Sequence, residues 1–151
     1  MFTVADVMTE KPYNLKRSNT LQDAKNLMKE HDIRHLPIVD NDMRLLGLIT
    51  QRDILAAQDS NLKKSTGQIS YTLSTPLERI MNKKVTSISA TAGLKESARY
   101  MQTQKYGCLP VTLNHKLIGI ITDTDFVTVA IHLLEIQEDS ILEPIEEFDD
   151  L

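Results

Sequence analysis

The chain repeats itself, and that constrains its fold more than any other feature. Leu45-Leu46-Gly47-Leu48-Ile49-Thr50-Gln51-Arg52-Asp53 returns as Leu117-Ile118-Gly119-Ile120-Ile121-Thr122-Asp123-Thr124-Asp125. Each copy is a short apolar run holding a glycine, then Thr-x-x-Asp, then a helical pattern. A run of this length bounded by polar residues reads as a buried strand. Thr or Asp at its exit can cap the following helix by satisfying free N–H groups. The flanks repeat as well. Leu77 to Met81 mirrors Val4 to Met8, and Val85–Ile88 mirrors Pro12–Leu15, each of these last two expected as a short strand. Leu94, Ser97, Ala98 and Met101 repeat the helical stripe of Leu21, Ala24, Lys25 and Met28, and Leu109-Pro110-Val111 repeats Leu36-Pro37-Ile38. The offset is 73 residues at the proline and 72 at the glycine, so the second hairpin is one residue shorter. Such agreement in one order over about seventy positions marks an internal duplication.

Each half therefore runs as helical turn, strand, helix, strand, hairpin, strand and helix. Thr3 is a candidate cap for the first turn, and Ser18-Asn19-Thr20 supplies caps for the first helix, whose apolar spacing of three and four gives one buried stripe. Asn41-Asp42 is expected as a hairpin turn between Leu36–Val39 and Leu45–Thr50, with a helix over Asp53–Ala57. The expected boundaries are 1–58 for the first repeat, 59–75 for a polar linker, 76–136 for the second repeat and 137–151 for an acidic tail. The last helix carries Phe126, Val129, Ala130, Leu133 and Leu134 and outruns its counterpart. Beyond Gln137, acids alternate with Ile141, Leu142, Ile145, Phe148 and Leu151. That composition permits disorder, and those apolar residues permit docking on the body or a partner.

Composition narrows the function classes. The chain has 151 residues, 41% apolar and 25% charged, the balance of a soluble globular protein. No apolar run approaches the roughly 20 residues that span a bilayer, and Met1 to Asp6 does not resemble a signal peptide. The single cysteine, Cys108, excludes an intrachain disulfide and fits a reducing cytoplasm. Seven acids and no basic residue follow Gln137, so setting them aside turns the net charge of −4 into +3. A mildly basic body of that kind lacks the strong patch expected of a nucleic-acid binder.

The duplicated order resembles a tandem pair of CBS (cystathionine-β-synthase) domains, a Bateman module. The resemblance is carried by Asp6-Val7-Met8 and Arg79-Ile80-Met81, Arg34 to Asp40, Gly47 to Asp53 and Gly119 to Asp125, and it covers residues 1–136. It implies an α/β fold of two β-α-β-β-α repeats packed sheet to sheet about a pseudo-twofold axis, with two such pairs associating as a homodimer. It also implies binding of an adenosine-containing ligand (AMP, ADP, ATP or S-adenosylmethionine) in clefts between the repeats, with no cofactor required. Each cleft would take Thr-x-x-Asp from one repeat and the first strand and x-x-Leu-Pro turn from the other. The chemistry fits: a carboxylate accepts hydrogen bonds from both ribose hydroxyls, and adenine needs an apolar slot edged by backbone donors and acceptors.

Two clefts follow from the resemblance. The first joins Ile120, Thr122, Thr124 and Asp125 to Tyr13, Asn14, Arg34, His35 and Pro37. Arg34 suits a bidentate phosphate pair and His35 adds a donor or a charge. This cleft resembles the AMP clefts in the regulatory subunit of the AMP-activated kinase, and it is the preferred phosphate site. The second joins Leu48, Thr50, Arg52 and Asp53 to Thr86, Ser87, Gly107, Cys108 and Pro110, where Gly107-Cys108 replaces the basic pair. Arg52 could compensate there. Cys108 reads as a packing residue, because only His115, in a turn, lies near it in sequence. His31 fits a helix C-terminus, and His115 and His132 lack metal-ligand spacing. Asp123 and Asp125 read as helix-start acids and not as an acid–base pair. With no nucleophile–base pair, metal cluster or Gly-rich phosphate loop, the sequence points away from an enzyme. It points to a cytoplasmic regulatory module acting on another polypeptide, the alternative being a ligand-independent dimerisation or interaction scaffold.

Overall fold

The computed structural model describes residues 1–62 and 71–149, with side chains described for 1–59 and 71–139. A 3-10 turn at Val4–Asp6 leads into β1 (Thr9–Glu10), α1 (Leu21–His31), β2 (His35–Val39), β3 (Leu45–Thr50) and α2 (Gln51–Leu62). A second 3-10 turn at Leu77–Arg79 leads into α3 (Leu94–Gln104), β4 (Cys108–Leu113), β5 (Lys116–Thr122) and α4 (Asp123–Asp149). Thr20 and Asp23 start α1 as a capping box: the Asp23 carboxylate accepts the Thr20 N–H at 2.9 Å, and the Thr20 hydroxyl accepts the Asp23 N–H at 3.2 Å. Asp32 at φ 52° and Lys105 at φ 59° end α1 and α3 in the left-handed region, each returning its N–H to the preceding helix.

Two antiparallel sheets result, β2-β3 and β1-β5-β4. The hairpin ends meet, with the Leu45 N–H donating to the His115 carbonyl at 3.1 Å and the Leu117 N–H to the Met43 carbonyl at 2.9 Å. The N-terminal turns do not pack in their own halves. Val4, Val7 and Met8 join Leu94, Met101, Leu109, Val111 and Ile121 in one core. Leu77, Ile80 and Met81 join Leu21, Ala24, Met28, Leu36, Ile38, Ile49 and Ile54 in the other. The exchange is symmetric: the Val4 N–H donates to the Ala92 carbonyl at 2.9 Å, as the Leu77 N–H donates to the Asn19 carbonyl at 2.8 Å. Thr9 pairs with Ile120 in β5, as Asn82 bridges Leu48 in β3. Each core is thus completed by a turn from the other half, and both cores cross the repeat boundaries drawn from the sequence.

Four expectations are corrected. The stretch Pro12–Leu15 is not a strand; the strand lies earlier, at Thr9–Glu10, and Leu15 makes a lone parallel bridge to Ile38. Ile88 likewise makes only a bridge to Val111 in place of a strand over Val85–Ile88. The reason is the exchange, since the chain leaves one sheet at Glu10 and must reach the edge of the other by Leu15. Lys11 turns it at φ 48°, and Pro12 has no N–H for a ladder. Helix α2 begins at Gln51 and passes Ala57, and α4 runs beyond 136 through the acidic stretch to Asp149. Residues 63–70 of the expected linker, the side chains of Ile141, Leu142, Ile145 and Phe148, and Leu151 lie outside the described residues.

The repeated glycine is where the exchanged segment crosses. A Cβ on Gly119 would lie 2.6 Å from the Met8 sulfur and 3.1 Å from the Thr9 carbonyl oxygen; on Gly47 it would lie 2.7 Å from the Met81 sulfur and 3.0 Å from the Asn82 carbonyl oxygen. The thioether can swing aside but the backbone oxygen belongs to the sheet. Gly119→Val is therefore expected to destabilise the fold by about 2 kcal/mol, as overpacking does. Urea denaturation checks the value. In a Met8→Ala background the same substitution should cost less, and an undiminished cost would show that the sulfur is not what it meets.

Candidate functional site

Both Thr-x-x-Asp motifs close capping boxes where a strand enters a helix. The Thr122 N–H donates to Asp125 Oδ2 at 2.8 Å, and the Asp125 N–H donates to the Thr122 hydroxyl at 3.3 Å. Thr50 and Asp53 repeat this at 2.9 and 3.2 Å. Each box engages only one carboxylate oxygen, so Oδ1 of either aspartate has no hydrogen bond within its box. The start of β2 is tied to the start of α2 by the Gln51 N–H donating to the Arg34 carbonyl at 2.9 Å. Its counterpart, Asp123 N–H to the Gly107 carbonyl, is also 2.9 Å.

One cavity of about 300 Å³ lies where the exchanged Thr9–Tyr13 segment, the α1–β2 turn and the β5–α4 junction converge. That volume is at the small end of ligand pockets, which span about 300–1,000 Å³. Of the first predicted set, Tyr13, Arg34, His35, Ile120, Thr122, Thr124 and Asp125 line it. Asn14 and Pro37 do not: the Asn14 amide donates to the Pro12 carbonyl at 3.0 Å, and Pro37 is fully buried in β2. Thr9, Lys11, Pro12, Asp32, Ile33 and Asp123 also line the cavity and were not foreseen. Asp123 lies inside the repeated motif at the start of α4, a place that a helix-start acid explains without any cavity. Lys11 and Asp32 become visible only once the exchange brings their segments together.

Burial holds the His35 imidazole below its ordinary value; Asp123 pulls it up, Arg34 pushes it down and Asp53 pulls it up. Being lowered from 6.5, the ring is neutral at pH 7. Gly107 faces it, since a Cβ there would lie 2.9 Å from His35 Nε2 and 3.8 Å from Asp123 Oδ2. His35 and Gly107, assigned to separate clefts, therefore lie against each other. Tyr13 stacks on His31, with ring centroids 3.9 Å apart at 15°.

The second predicted set lines none of the three described cavities. Leu48 exchanges both backbone bonds with Asn82, and Thr50 and Asp53 form their box. Thr86 Oγ1 stands 3.5 Å from the Tyr106 hydroxyl, while Ser87 accepts from the Thr112 hydroxyl at 3.2 Å. Arg52 is exposed, and Pro110 and Cys108 are buried. Burial, with Asp123 adding to it, pushes the Cys108 thiol up to about 12. The thiol is thus protonated at neutral pH and unsuited to nucleophilic attack. Among the described residues, no three His, Cys, Asp or Glu side chains gather as a metal-binding set, and no helix is long and apolar enough to cross a membrane.

A depressed His35 couples folding to pH. The unfolded chain takes up this proton more readily than the folded one, so this part of the stability is present above pH 6.5 and lost as pH falls through the folded value. A His35→Gln variant is expected to show a flatter stability-versus-pH curve below 6.5. Asp123→Asn should shift the His35 titration further down, which an NMR titration of the ring proton reads directly; an upward shift would contradict the electrostatic arrangement.

A family model for the CBS domain matches the chain twice, at residues 4–60 and 77–132. Hypoxic response protein 1 of Mycobacterium tuberculosis is 31% identical over 135 residues, 89% of this chain and 87% of that one. A homoserine O-acetyltransferase of Methanosalsum zhilinae is 34% identical over 120 residues, 79% of this chain but 22% of the enzyme's length. Among solved structures, the Vibrio cholerae protein AcuB, provisionally assigned to acetoin utilization, is 54% identical with a TM-score of 0.83, covering 91% of this chain and 98% of that one. CBSX2, crystallised with AMP, is 26% identical with a TM-score of 0.75, covering 88% and 98%. A CBS-domain pair crystallised with 5′-methylthioadenosine and S-adenosyl-L-methionine is 27% identical with a TM-score of 0.71, covering 85% and 95%.

Proposed function

Because the chain belongs to the CBS-domain family, we propose that it is a regulatory module that binds an adenosine-containing ligand between its two halves and passes the state of that site to another protein. The observation that carries this reading is the Asp125 carboxylate at the cleft, one oxygen spent on the helix cap and the other left to take ribose hydroxyls. Ile120, Ile33 and Pro12 supply apolar walls for adenine, and Lys11 and Arg34 supply cations for phosphate. Relatives crystallised with AMP or S-adenosyl-L-methionine support the ligand class. The second set, around Asp53, is a second site on the same plan. The regulatory output runs through a homodimer in the cytoplasm, where a single buried Cys108 is at home. No catalytic step is part of the proposal.

A scaffold reading is favoured by one observation. Val127, Ile131, Leu133, Leu134 and Ile136 on α4 are all about half exposed or more, a surface suited to a partner chain whether or not the cleft is filled.

Isothermal titration of nucleotide-free protein with AMP, ADP, ATP, S-adenosylmethionine and adenosine decides between the two. Asp125→Ala is expected to weaken binding by about tenfold or more through loss of a charged acceptor, and to cost about 1 kcal/mol of stability through loss of the cap. Silence across the panel favours the scaffold. In the same titration, Arg34→Ala should reduce affinity for AMP more than for adenosine, and equal losses would remove Arg34 from the phosphate site.

A further inference from the structure

The duplication relates the residues of the first cleft to those of the second set, and the two sets carry different charges. Backbone pairs set the correspondence: Thr9 lies against Ile120 as Asn82 lies against Leu48, and Gln51 donates to Arg34 as Asp123 donates to Gly107. Asp32 and Lys105 occupy the same left-handed position at the ends of α1 and α3. At that register Lys11 and Asp125 keep their charges as Lys84 and Asp53. Asp32 becomes Lys105, Asp123 becomes Gln51, Thr124 becomes Arg52 and Arg34 becomes Gly107. With His35 neutral, the first cleft holds two cations, Lys11 and Arg34, against three carboxylates, Asp32, Asp123 and Asp125. The corresponding positions of the second hold three cations, Lys84, Lys105 and Arg52, against Asp53 alone.

Resting on the adenosine reading above, we infer that the second cleft is the polyphosphate site, taking a nucleoside di- or triphosphate, while the first takes a monophosphate. In the first cleft Asp32 and Asp123 offset Lys11 and Arg34, all four of them exposed, so one phosphate can take hydrogen bonds from the two cations but no surplus positive charge draws a longer polyanion. In the second, every carboxylate but the ribose acceptor is gone. Thr86 and Tyr106, whose hydroxyls stand 3.5 Å apart, take the places of Tyr13 and Ile33 and add two donors there. Arg52, Lys84 and Lys105 are exposed, so they act through water and their pull on phosphate weakens with salt.

The test titrates nucleotide-free full-length protein with AMP and with ATP, free of magnesium, at low and high salt. Asp53→Ala is expected to abolish ATP binding and leave AMP, and Asp125→Ala to do the reverse. Lys105→Asp places at this left-handed position the residue its counterpart already carries, so folding is preserved. It should weaken ATP by about tenfold and AMP by less than about twofold, as removing a complementary charge does. ATP affinity should fall more steeply with salt than AMP affinity. ATP lost in Asp125→Ala but kept in Asp53→Ala overturns the division of charge alone, as does an unchanged ATP affinity in Lys105→Asp. No binding of either nucleotide overturns the adenosine reading and this inference with it.

Discussion

Two backbones cross at Gly119 and at Gly47, where a Cβ would crowd a methionine sulfur and a carbonyl oxygen, and the rest of the molecule depends on those crossings. They let Met8 and Thr9 lie on β5 and Met81 and Asn82 lie on β3, so each half lends its first turn to the other half's core. Neither half keeps a complete core without that loan. Val4 and Leu77 are both wholly buried, each among residues of the opposite repeat. The duplication is thus one cooperative unit, not two beads on a linker, and a cleft between the halves follows from the same swap.

The cleft reuses parts that folding already requires. Asp125 starts α4 and Asp53 starts α2, and in each case the capping box engages one oxygen of a two-oxygen group. A cap and a ligand acceptor can therefore share one residue without competing. His35 illustrates the cost of placing such groups where the halves meet: half-buried and facing Gly107 and Asp123, its ring is held neutral. A charged imidazole at that place would need a partner that the fold supplies only in part.

Much of this was legible in the sequence because it depends on local spacing. The stripe of Leu21, Ala24 and Met28, the hairpin at Asn41-Asp42 and the Thr-x-x-Asp caps all appear where spacing placed them. The strand over Pro12–Leu15 failed for a non-local reason. Those residues travel between sheets, and nothing in their own composition says so. The site divided along the same line. Thr122 and Asp125 line the cavity from the repeated motif and Arg34 and His35 from the stretch that carries the family resemblance, whereas Lys11 and Asp32 bear no motif and reach the cleft only through the exchange.

The sequence by itself determined the duplication, the helices and hairpins of each half and the family, since a repeat at nearly constant offset and the periods of strand and helix survive in one dimension. Only the tertiary structure decided which half completes which core, where the first strand lies, and that Asp123 faces the ring of His35. Those facts rest on contacts between residues from 34 to more than a hundred positions apart, such as Leu48 with Asn82 and Thr9 with Ile120, and local propensity carries no information about chain segments that meet only after the sheets have formed.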